Sequence, residues 1–589
     1  MTSYSAPVRD IMFVLEKLVD IESLCRLPRF SEADTAMIES ILEEAGKFAV
    51  GELAPLNSVG DHIGAKLVSR QVRETSGFAD AYRKFIGGGW TSIACNPDYG
   101  GMGLPECVGA ATMEMWSAAN VSFALCPMLG QGAIEALESH AAQSLKDIYL
   151  GRLVSGEWTG TMNLTEPQAG SDLAAIKTRA VRDGDEFRLF GSKIFITWGD
   201  HTMTDNIVHL VLARIEGAPA GVQGLSLFLV PKYLVDANGR LLQRNDVYPM
   251  SVEHKMGIHG SPTCVMNYGD DGAGAIGYLV GDENAGLACM FTMMNHARLN
   301  VGIEGVALAD RAYQKALQYA RERVQGKAPG RNGNGPIIEH PDVRRMLMIM
   351  RSLTEASRAL CLVTSACLDR GRHTEDASTA SQWTARGELL VPLAKGWSTE
   401  VSQEVTSLGV QVHGGMGFIE ETGAAQLMRD ARITTIYEGT TGIQANDFIG
   451  RKVGRDGGAE IRRLIEDMWE DFRTFESVPE LAGSAPHLIA AVDELSRATA
   501  WVVDHADDRV LAGAAAFNYL MGAGTCVAGW LVMKAAFAAT TVANDAFMAG
   551  KIETAKFYCA QILPRVPAYL GTIDDELVDF DKGSDIALR

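Results

Sequence analysis

The sequence predicts an α+β protein in which a β-sandwich lies between helical domains. Apolar residues recur with helical periodicity through roughly the first 155 residues and again from about residue 285 to 450. Between these regions, short apolar runs alternate with turn residues at a spacing typical of a sandwich. The last ~135 residues are again predicted to be helical, and a chain of 589 residues is too long for one compact core.

The N-terminal helical region contains a start signal and a turn-rich loop. Ser31 and Asp34 resemble a capping box that opens a helix extending to about Phe48. A loop rich in Gly and Pro follows at 96–105, and further helices are expected over about 106–118 and 133–150.

Apolar runs predict the strands of the middle region. One strand is expected to end in the segment 162–172. Further runs lie at 187–190, 193–197, 207–213 and 225–230, and a turn at 183–185 precedes the first of these.

Helical periodicity then continues to the end of the chain. Long helices are expected at 290–324, 343–368 and 385–408, with a flexible loop at 326–336. The run 510–533 carries no charge over 24 residues, which is long enough to cross a bilayer. We interpret this run as a buried helix and expect no membrane span, because it is rich in Ala and Gly and its flanks show no basic bias.

Composition excludes several kinds of partner. Acidic residues number 73 against 53 basic ones, and the net charge of −20 repels nucleic acid and anionic lipid. The ten cysteines include no C-x₂-C pair, so neither a metal site nor a disulfide framework is indicated. Reduced thiols and an N-terminus without a basic and apolar leader predict a cytoplasmic protein.

Motifs of several common enzyme classes are absent from the sequence. It contains no G-x-x-x-x-G-K-[ST] phosphate loop, no H-E-x-x-H and no G-x-S-x-G. P-loop NTPase, metal-dependent hydrolase and serine hydrolase functions therefore lack their usual support.

Three polar segments at element boundaries carry the candidate chemistry. The segment 162–172 offers free backbone N–H groups to an anion or a ring edge, although a plain β-turn also explains it. The glycine-rich break at 413–418 permits close approach to a pyrophosphate, although helices commonly end in Gly. Glu438, between Tyr437 and Gly439, is a base near neutral pH if it is buried and an ordinary turn residue if it is exposed.

Together and in order, these segments resemble the FAD-dependent acyl-CoA dehydrogenases over about residues 40–450. The matching motifs are Thr165-Glu-Pro with Gly170-Ser-Asp172, Lys193-Ile-Phe-Ile-Thr197, Arg298, Arg323, Gly414-Gly-Met-Gly417 with Met428-Arg-Asp430, and Tyr437-Glu-Gly-Thr440. The extra C-terminal helical domain, with segments 254–262 and 281–286, resembles the larger branch of the family, which includes 3-methylmercaptopropionyl-CoA dehydrogenases.

The resemblance implies the acyl-CoA dehydrogenase fold and its domain order. A helical N-terminal domain is expected at 39–157, a middle β-domain at 158–284 and a four-helix α-domain at 285–455. Residues 1–38 would form an extension, and 456–589 an additional C-terminal helical bundle.

The resemblance also implies a reaction, which is α,β-dehydrogenation of an acyl-CoA thioester to the trans-2-enoyl-CoA. The candidate substrate is 3-methylmercaptopropionyl-CoA, and the expected electron acceptor is electron-transfer flavoprotein. The alternatives are a short- or medium-chain fatty acyl-CoA dehydrogenase, an acyl-CoA oxidase, and a DNA-binding flavoprotein of the same fold. The acidic residues at 574–585 argue against DNA binding.

The same resemblance assigns roles to individual residues. Glu438 would remove the α-proton, while the β-hydrogen leaves as hydride to flavin N5. The residues expected at the flavin are Met162, Leu164, Thr165, Gly170, Ser171, Phe195, Thr197, Arg323, Gln411, Gly414, Gly415, Thr440 and Gly442. The residues expected at the acyl-CoA are Ser171, Asn295, Arg298, Tyr437 and Gly439.

Two further expectations concern how these residues act. The thioester oxygen should accept hydrogen bonds from the Glu438 backbone N–H and from a flavin ribityl hydroxyl. Arg323, Gln411, Gly414 and Gly415 should hold a flavin that is bound mainly by another subunit, so a homodimer is expected.

Overall fold

The computed structural model describes residues 4–542, 545–574 and 587–588, and it has the α+β architecture predicted from the sequence. Helices come first, a β-domain follows, and helices form the remainder of the described chain. Of the acidic residues expected near the C-terminus, those at 575–585 lie outside the described residues.

Helices and one short hairpin form the N-terminal region. The elements are α1 (Val8–Val14), α2 (Ile21–Cys25), α3 (Thr35–Phe48), α4 (Asn57–Ile63), β1 (Lys66–Val68), β2 (Gln71–Arg73), α5 (Phe78–Gly87), α6 (Glu106–His140) and α7 (Gln143–Val154). The predicted cap of α3 is wrong in one respect, since Asp34 rather than Ser31 caps the helix. The Asp34 Oδ1 accepts a hydrogen bond of 2.7 Å from the Met37 backbone N–H.

Helix α6 corrects the prediction of helices at 106–118 and 133–150: it contains the first and the start of the second, while α7 contains the rest of the second. Helix α6 runs continuously except at Asn120, whose backbone is non-helical (φ −161°, ψ 90°). The Asn120 Oδ1 accepts a hydrogen bond of 3.1 Å from the Phe123 N–H and thereby restarts the helix. The middle of α6 is buried on all sides, so the sequence there shows no amphipathic stripe from which a helix can be recognised.

The β-domain is built on one mixed sheet. The strands are β3 (Trp158–Asn163), β4 (Arg179–Asp183), β5 (Glu186–Thr197), β6 (Asn206–Ile215), β7 (Leu225–Pro231), β8 (Tyr233–Val235), β9 (Leu241–Arg244), β10 (Val247–Val252), β11 (Thr263–Tyr268) and β12 (Ala275–Val280). The main sheet has the order β10-β11-β5-β12-β7-β6-β3, with β4 paired to both β5 and β6.

Strand β5 joins two runs that the sequence presents as separate. The predicted runs 187–190 and 193–197 both belong to it, because the chain passes through Gly191 without turning. A Cβ at Gly191 would lie 2.5 Å from the Thr178 hydroxyl oxygen, so this glycine permits a close approach that a side chain would block.

Three long helices dominate the next region, and two short ones follow them. They are α8 (Gly286–Glu322), α9 (Pro341–His373), α10 (Ala377–His413), α11 (Ala424–Ala431) and α12 (Thr441–Asn446). Helices α8 and α10 touch backbone to backbone. A Cβ on Gly302 would lie 2.6 Å from the Ala394 carbonyl oxygen, and one on Gly305 would lie 3.0 Å from that of Ser398. This contact brings the buried side chains of the two helices together beside the turn that precedes α12.

The C-terminal domain consists of helices packed against α9 and α10. They are α13 (Ala459–Glu476), α14 (Ala485–Asp504), α15 (Arg509–Thr540), α16 (Ala546–Gln561) and α17 (Val566–Leu570). Helix α15 contains the uncharged run and is long and apolar enough to cross a membrane, but 89% of its apolar window is buried inside the protein. Trp397 of α10 donates a hydrogen bond of 3.0 Å to the Thr525 hydroxyl of α15. The interpretation as a buried helix is confirmed.

A buried cluster of charges ties the chain ends to the core. Arg358 of α9 is 1% exposed and donates to Glu114 of α6 (2.6 Å) and to Asp10 of α1 (2.7 Å). The same guanidinium lies 3.1 Å from Asp310 of α8. Lys551 of α16 also pairs with Asp10. Five helices from three regions therefore depend on one cluster. Its charges need one another because all of them except the partly exposed Asp10 are buried.

We predict that Arg358→Met destabilises the protein strongly. Removing one member of a buried ionic cluster leaves the remaining carboxylates uncompensated, which costs about 3–5 kcal/mol. Arg345→Met is the matched control on the same helix, because Arg345 is 49% exposed and its surface pair with Asp342 contributes about 0–1 kcal/mol. Calorimetry should show a much larger fall in the thermal midpoint for the first variant; equal falls would contradict the role assigned to the cluster.

Candidate active site

Glu438 lies in the turn between α11 and α12, in a backbone conformation that is rare for its residue type. Its φ is 54°, and that of the following Gly439 is 89°. The left-handed region costs a residue with a side chain about 1–2 kcal/mol, so surrounding contacts must hold it there. The Glu438 side chain is partly buried.

Two side chains hold the carbonyl groups of this turn. Lys395 of α10 donates from Nζ to the Gly439 carbonyl oxygen (2.6 Å), and Gln444 of α12 donates from Nε2 to the Glu438 carbonyl oxygen (3.3 Å). The Glu438 backbone N–H donates to no other backbone group in the part of the chain that the structure describes. The carbonyl groups of Glu438 and Gly439 therefore both have donors, while the Glu438 N–H beside the carboxyl group remains available to a ligand.

Burial and charge act in opposite directions on the Glu438 carboxyl group. Burial raises its pKa to about 7, while the positive charges of Arg298 and Lys395 oppose that rise. Burial also lowers the pKa of Lys395 to about 8. A carboxyl group with a pKa near 7 is a stronger base than a solvated one and is still substantially ionised at neutral pH.

A second acidic group stands beside Glu438. The Tyr437 hydroxyl donates a hydrogen bond to the carboxyl group of Glu304, which lies on α8. Burial, reinforced by the negative charge of Glu438, raises the pKa of Glu304 to about 8. Because Glu304 is then largely protonated at neutral pH, the site avoids placing two buried negative charges side by side.

Sequence reasoning missed Glu304 and Lys395. Neither belongs to a recognisable motif, but each is a single charge inside a buried apolar stretch of a helix, at 301–308 and 389–397. Such isolated charges are rarely buried without a partner, and that rarity is the signal by which they could have been found.

Arg298 faces the same group of charges from α8. It is 5% exposed, its Nη1 lies 3.5 Å from the Asp447 carboxylate, and burial lowers its pKa. The Arg298 Nε has no hydrogen-bond partner among the described residues. An unsatisfied buried donor of this kind suits an acceptor on a bound ligand. Asn295, one turn earlier on α8, is exposed.

The end of β3 and strand β5 form a second part of the site. The Ile194 N–H donates to the Thr165 carbonyl oxygen (2.9 Å), and the buried Lys193 donates to that of Leu164 (2.9 Å). Lys193 also pairs with Glu166 at 2.8 Å. These bonds fix the end of β3 against β5, whose register against β11 is interrupted by a bulge at the same place.

Phe195 presents an uncovered ring on this platform. It is 59% exposed, and its φ of 60° lies in the left-handed region. Met162 and Thr197 are partly buried nearby on β3 and β5, and Gly170 and Ser171 lie in an exposed loop. A large apolar ring held in an unfavourable backbone conformation fits a planar ligand that would cover it.

A third group lies at the far ends of α8 and α10. Tyr319 stacks on His413 with the ring centroids 4.4 Å apart, which brings Arg323 and Gln411 to the same end of the two helices. At Gly414 and Gly415 an added Cβ would meet nothing within 4 Å, so this backbone is open to a ligand. Gln411 is 16 residues from Lys395, roughly 24 Å along α10. The structure therefore does not bring this group to the Glu438 of the same chain.

The remaining expected residues flank the start of α12. The Thr440 hydroxyl oxygen accepts a hydrogen bond of 3.2 Å from the Ile443 N–H and so caps α12. Gly442 lies in the first turn of that helix. The Thr440 hydroxyl therefore caps a helix in this structure, whether or not it also contacts a ligand.

Metal chemistry receives no support from the described residues. Within residues 4–542, 545–574 and 587–588, no group of three or more His, Cys, Asp or Glu side chains could hold an ion. The cysteines, from Cys25 to Cys559, are buried free thiols.

Comparison with family models covers nearly the whole chain. Residues 36–157 match the acyl-CoA dehydrogenase N-terminal domain, 161–270 the middle domain and 284–453 the C-terminal domain. Residues 459–577 match a domain described as acetyl-CoA dehydrogenase C-terminal like.

Individual relatives also extend over the full length. The chain is 47% identical to 3-methylmercaptopropionyl-CoA dehydrogenase of Ruegeria pomeroyi, over 97% of this chain and 98% of the relative. It is 32% identical to a broad-specificity linear acyl-CoA dehydrogenase of Mycobacterium tuberculosis, over 99% and 100% of the two chains. A solved acyl-CoA dehydrogenase from Bacillus anthracis, complexed with FAD, shares the fold with a TM-score of 0.76 and 22% identity, over 94% of this chain and 91% of that one. By its domain matches and its full-length relatives, the chain belongs to the acyl-CoA dehydrogenase family.

Proposed function

We propose that the protein catalyses α,β-dehydrogenation of an acyl-CoA thioester to the trans-2-enoyl-CoA, with Glu438 as the base. The observation that carries this proposal is the setting of Glu438. It is a carboxyl group with a pKa of about 7, held in a left-handed turn between the cations of Arg298 and Lys395. Glu438 accepts the α-proton of the thioester and becomes a neutral acid, which its partly buried position favours.

The turn also offers the means to stabilise charge on the substrate. As the α-proton leaves, negative charge develops on the thioester oxygen. The Glu438 backbone N–H, which bonds to no other backbone group of the described chain, is placed to donate to that oxygen. In other enzymes, the loss of one such donor lowers the rate about 10²–10³-fold.

The residues present fit FAD, the cofactor of this family. The uncovered Phe195 ring beside Thr165 and Thr197 suits a flat ring system, and the open backbone at Gly414 and Gly415 suits a pyrophosphate. When bound, FAD supplies the acceptor for the hydride that leaves the β-carbon. The protein's own part is to hold the substrate between this platform and Glu438.

We assign the open backbone at the ends of α8 and α10 to the FAD of a partner subunit. It lies roughly 24 Å along α10 from Lys395, which supports this assignment and with it a homodimer. The proposed electron acceptor is electron-transfer flavoprotein, and the proposed location is the cytoplasm. Turnover on dissolved O₂ alone, with one peroxide per product, would instead favour an acyl-CoA oxidase.

We propose 3-methylmercaptopropionyl-CoA as the substrate. This proposal rests on 47% identity to the Ruegeria pomeroyi enzyme over almost the whole of both chains. The second candidate is a short- or medium-chain fatty acyl-CoA. The relative at 32% identity is named for linear acyl chains, which supports an unbranched fatty acyl group.

Glu438→Gln should abolish flavin reduction by acyl-CoA while FAD and acyl-CoA still bind. A neutral amide keeps the size of the side chain but cannot accept the α-proton, so the rate of anaerobic flavin bleaching should fall by at least about 10²–10⁴-fold. The matched control is Glu388→Gln, an exposed glutamate on α10 whose surface pair with Lys452 contributes little. Bleaching of the Glu438 variant at the wild-type rate would show that the base lies elsewhere.

A panel of thioesters should distinguish the two candidate substrates. We expect the highest kcat/KM for 3-methylmercaptopropionyl-CoA. Valeryl-CoA is included as the comparison of equal chain length, in which a methylene replaces the sulfur. Butyryl-CoA, one chain atom shorter, should be about tenfold poorer, because one missing methylene changes binding by that order. If butyryl-CoA or octanoyl-CoA gives the highest kcat/KM, the substrate assignment is wrong although the reaction type stands.

A further inference from the structure

Lys395 is a buried lysine that contacts the Glu438–Gly439 turn through one short hydrogen bond. It is 0% exposed and sits in the part of α10 that touches the α8 backbone at Gly302. Its Nζ donates to the Gly439 carbonyl oxygen at 2.6 Å. A lysine ammonium loses its hydration when buried, so it stays in such a place only where acceptors and negative charges replace the water.

The hydrogen bond acts on the backbone that carries the base. Glu438 and Gly439 are consecutive residues with positive φ, and the acceptor of Lys395 is the carbonyl group that closes this pair. Without that bond, the Gly439 carbonyl would be partly buried without a donor, and the turn would lose a contact that keeps it left-handed. The direction of the Glu438 carboxyl and N–H groups depends on the same backbone.

The charge of Lys395 acts on the carboxyl group itself. The ionisable groups that face Glu438 are Arg298 and Lys395, both cationic, together with Glu304 and the Tyr437 hydroxyl. Glu400, which accepts a hydrogen bond from Thr441, also lies close enough to act on Lys395. Of the two cations, Arg298 already has the Asp447 carboxylate at 3.5 Å. Lys395 is therefore the cation whose charge is least offset by a direct ion pair.

Resting on the proposed function, we infer that Lys395 is the positioning residue for Glu438. Its hydrogen bond holds the Glu438–Gly439 turn in place, and its charge keeps the Glu438 carboxyl group ionised near neutral pH. Lys395 itself exchanges no proton with the substrate.

Three variants separate the hydrogen bond from the charge. Lys395→Arg retains the charge and a donor, Lys395→Gln retains a donor without the charge, and Lys395→Met removes both. Each holoenzyme is mixed anaerobically with acyl-CoA, and the rate of flavin reduction is measured from pH 5.5 to 9, a range that spans the raised pKa of Glu438, about 7.

The charge predicts the direction of the change in pH dependence. Because Glu438 must be ionised, the rate rises with pH through its titration. Without the neighbouring cation, the midpoint should move up by about one pH unit or more in Lys395→Gln and Lys395→Met, and the rate at pH 6.5 should fall roughly tenfold or more. Lys395→Arg should keep the wild-type midpoint, and Lys395→Met should also show a lower plateau at high pH because its turn is no longer held.

A buried lysine outside the site provides the control. Lys232 is buried, donates to the His201 carbonyl oxygen (2.8 Å) and pairs with Asp200 (2.6 Å). Lys232→Met should lower stability without moving the midpoint of the pH dependence.

If Lys395→Met fails to fold, the pH midpoint of Lys395→Gln tests the role of the charge. An unchanged midpoint in Lys395→Gln, while Glu438→Gln is inactive, overturns the role of Lys395 and leaves the proposed function intact. Activity in Glu438→Gln overturns the choice of base.

Discussion

The constraint on which the site depends is the burial of one carboxyl group among opposing charges. A glutamate in water is too weak a base for the α-proton of a thioester, and a glutamate buried alone would simply stay protonated. Glu438 lies between these limits because burial raises its pKa while Arg298 and Lys395 oppose the rise, giving a value of about 7. Glu304 completes the arrangement, since its own raised pKa leaves it largely neutral beside the base.

The architecture serves to keep these groups in place. The glycines of α8 allow α10 to approach closely enough for Lys395 to reach the turn. On its other side α10 is supported by the C-terminal domain: a Cβ on Gly396 would lie 2.8 Å from Leu520 and 3.3 Å from Gln444, the second residue that holds the turn. The uncharged run of helix α15 therefore packs against the helix that carries Lys395, which gives the extra domain a structural link to the site.

Much of this could be predicted from the sequence, and the failures have physical causes. The order of helical and strand regions follows from periodicity, which is a local property. The choice of Glu438 rests instead on the resemblance of several ordered motifs to the family, because the turn by itself also suits an ordinary exposed glutamate. The continuity of α6 could not be predicted, because a helix buried on all sides shows no amphipathic pattern. Glu304 and Lys395 were missed because their roles come from hydrogen bonds to Tyr437 and Gly439, 133 and 44 residues away in the chain. An isolated charge in an apolar helix marks such a residue as unusual but does not show which group it contacts.

Proton exchange tests the central claim most directly. A CoA thioester with sulfur at the β-position, such as methylthioacetyl-CoA, has α-protons but no β-hydrogen, so it can exchange but cannot be dehydrogenated. Incubated with the holoenzyme in D₂O and recovered for mass spectrometry, it should gain deuterium at the α-carbon with wild type and not with Glu438→Gln, because only the carboxylate can remove that proton. Deuterium gain at the wild-type rate in the Glu438→Gln variant would contradict the account.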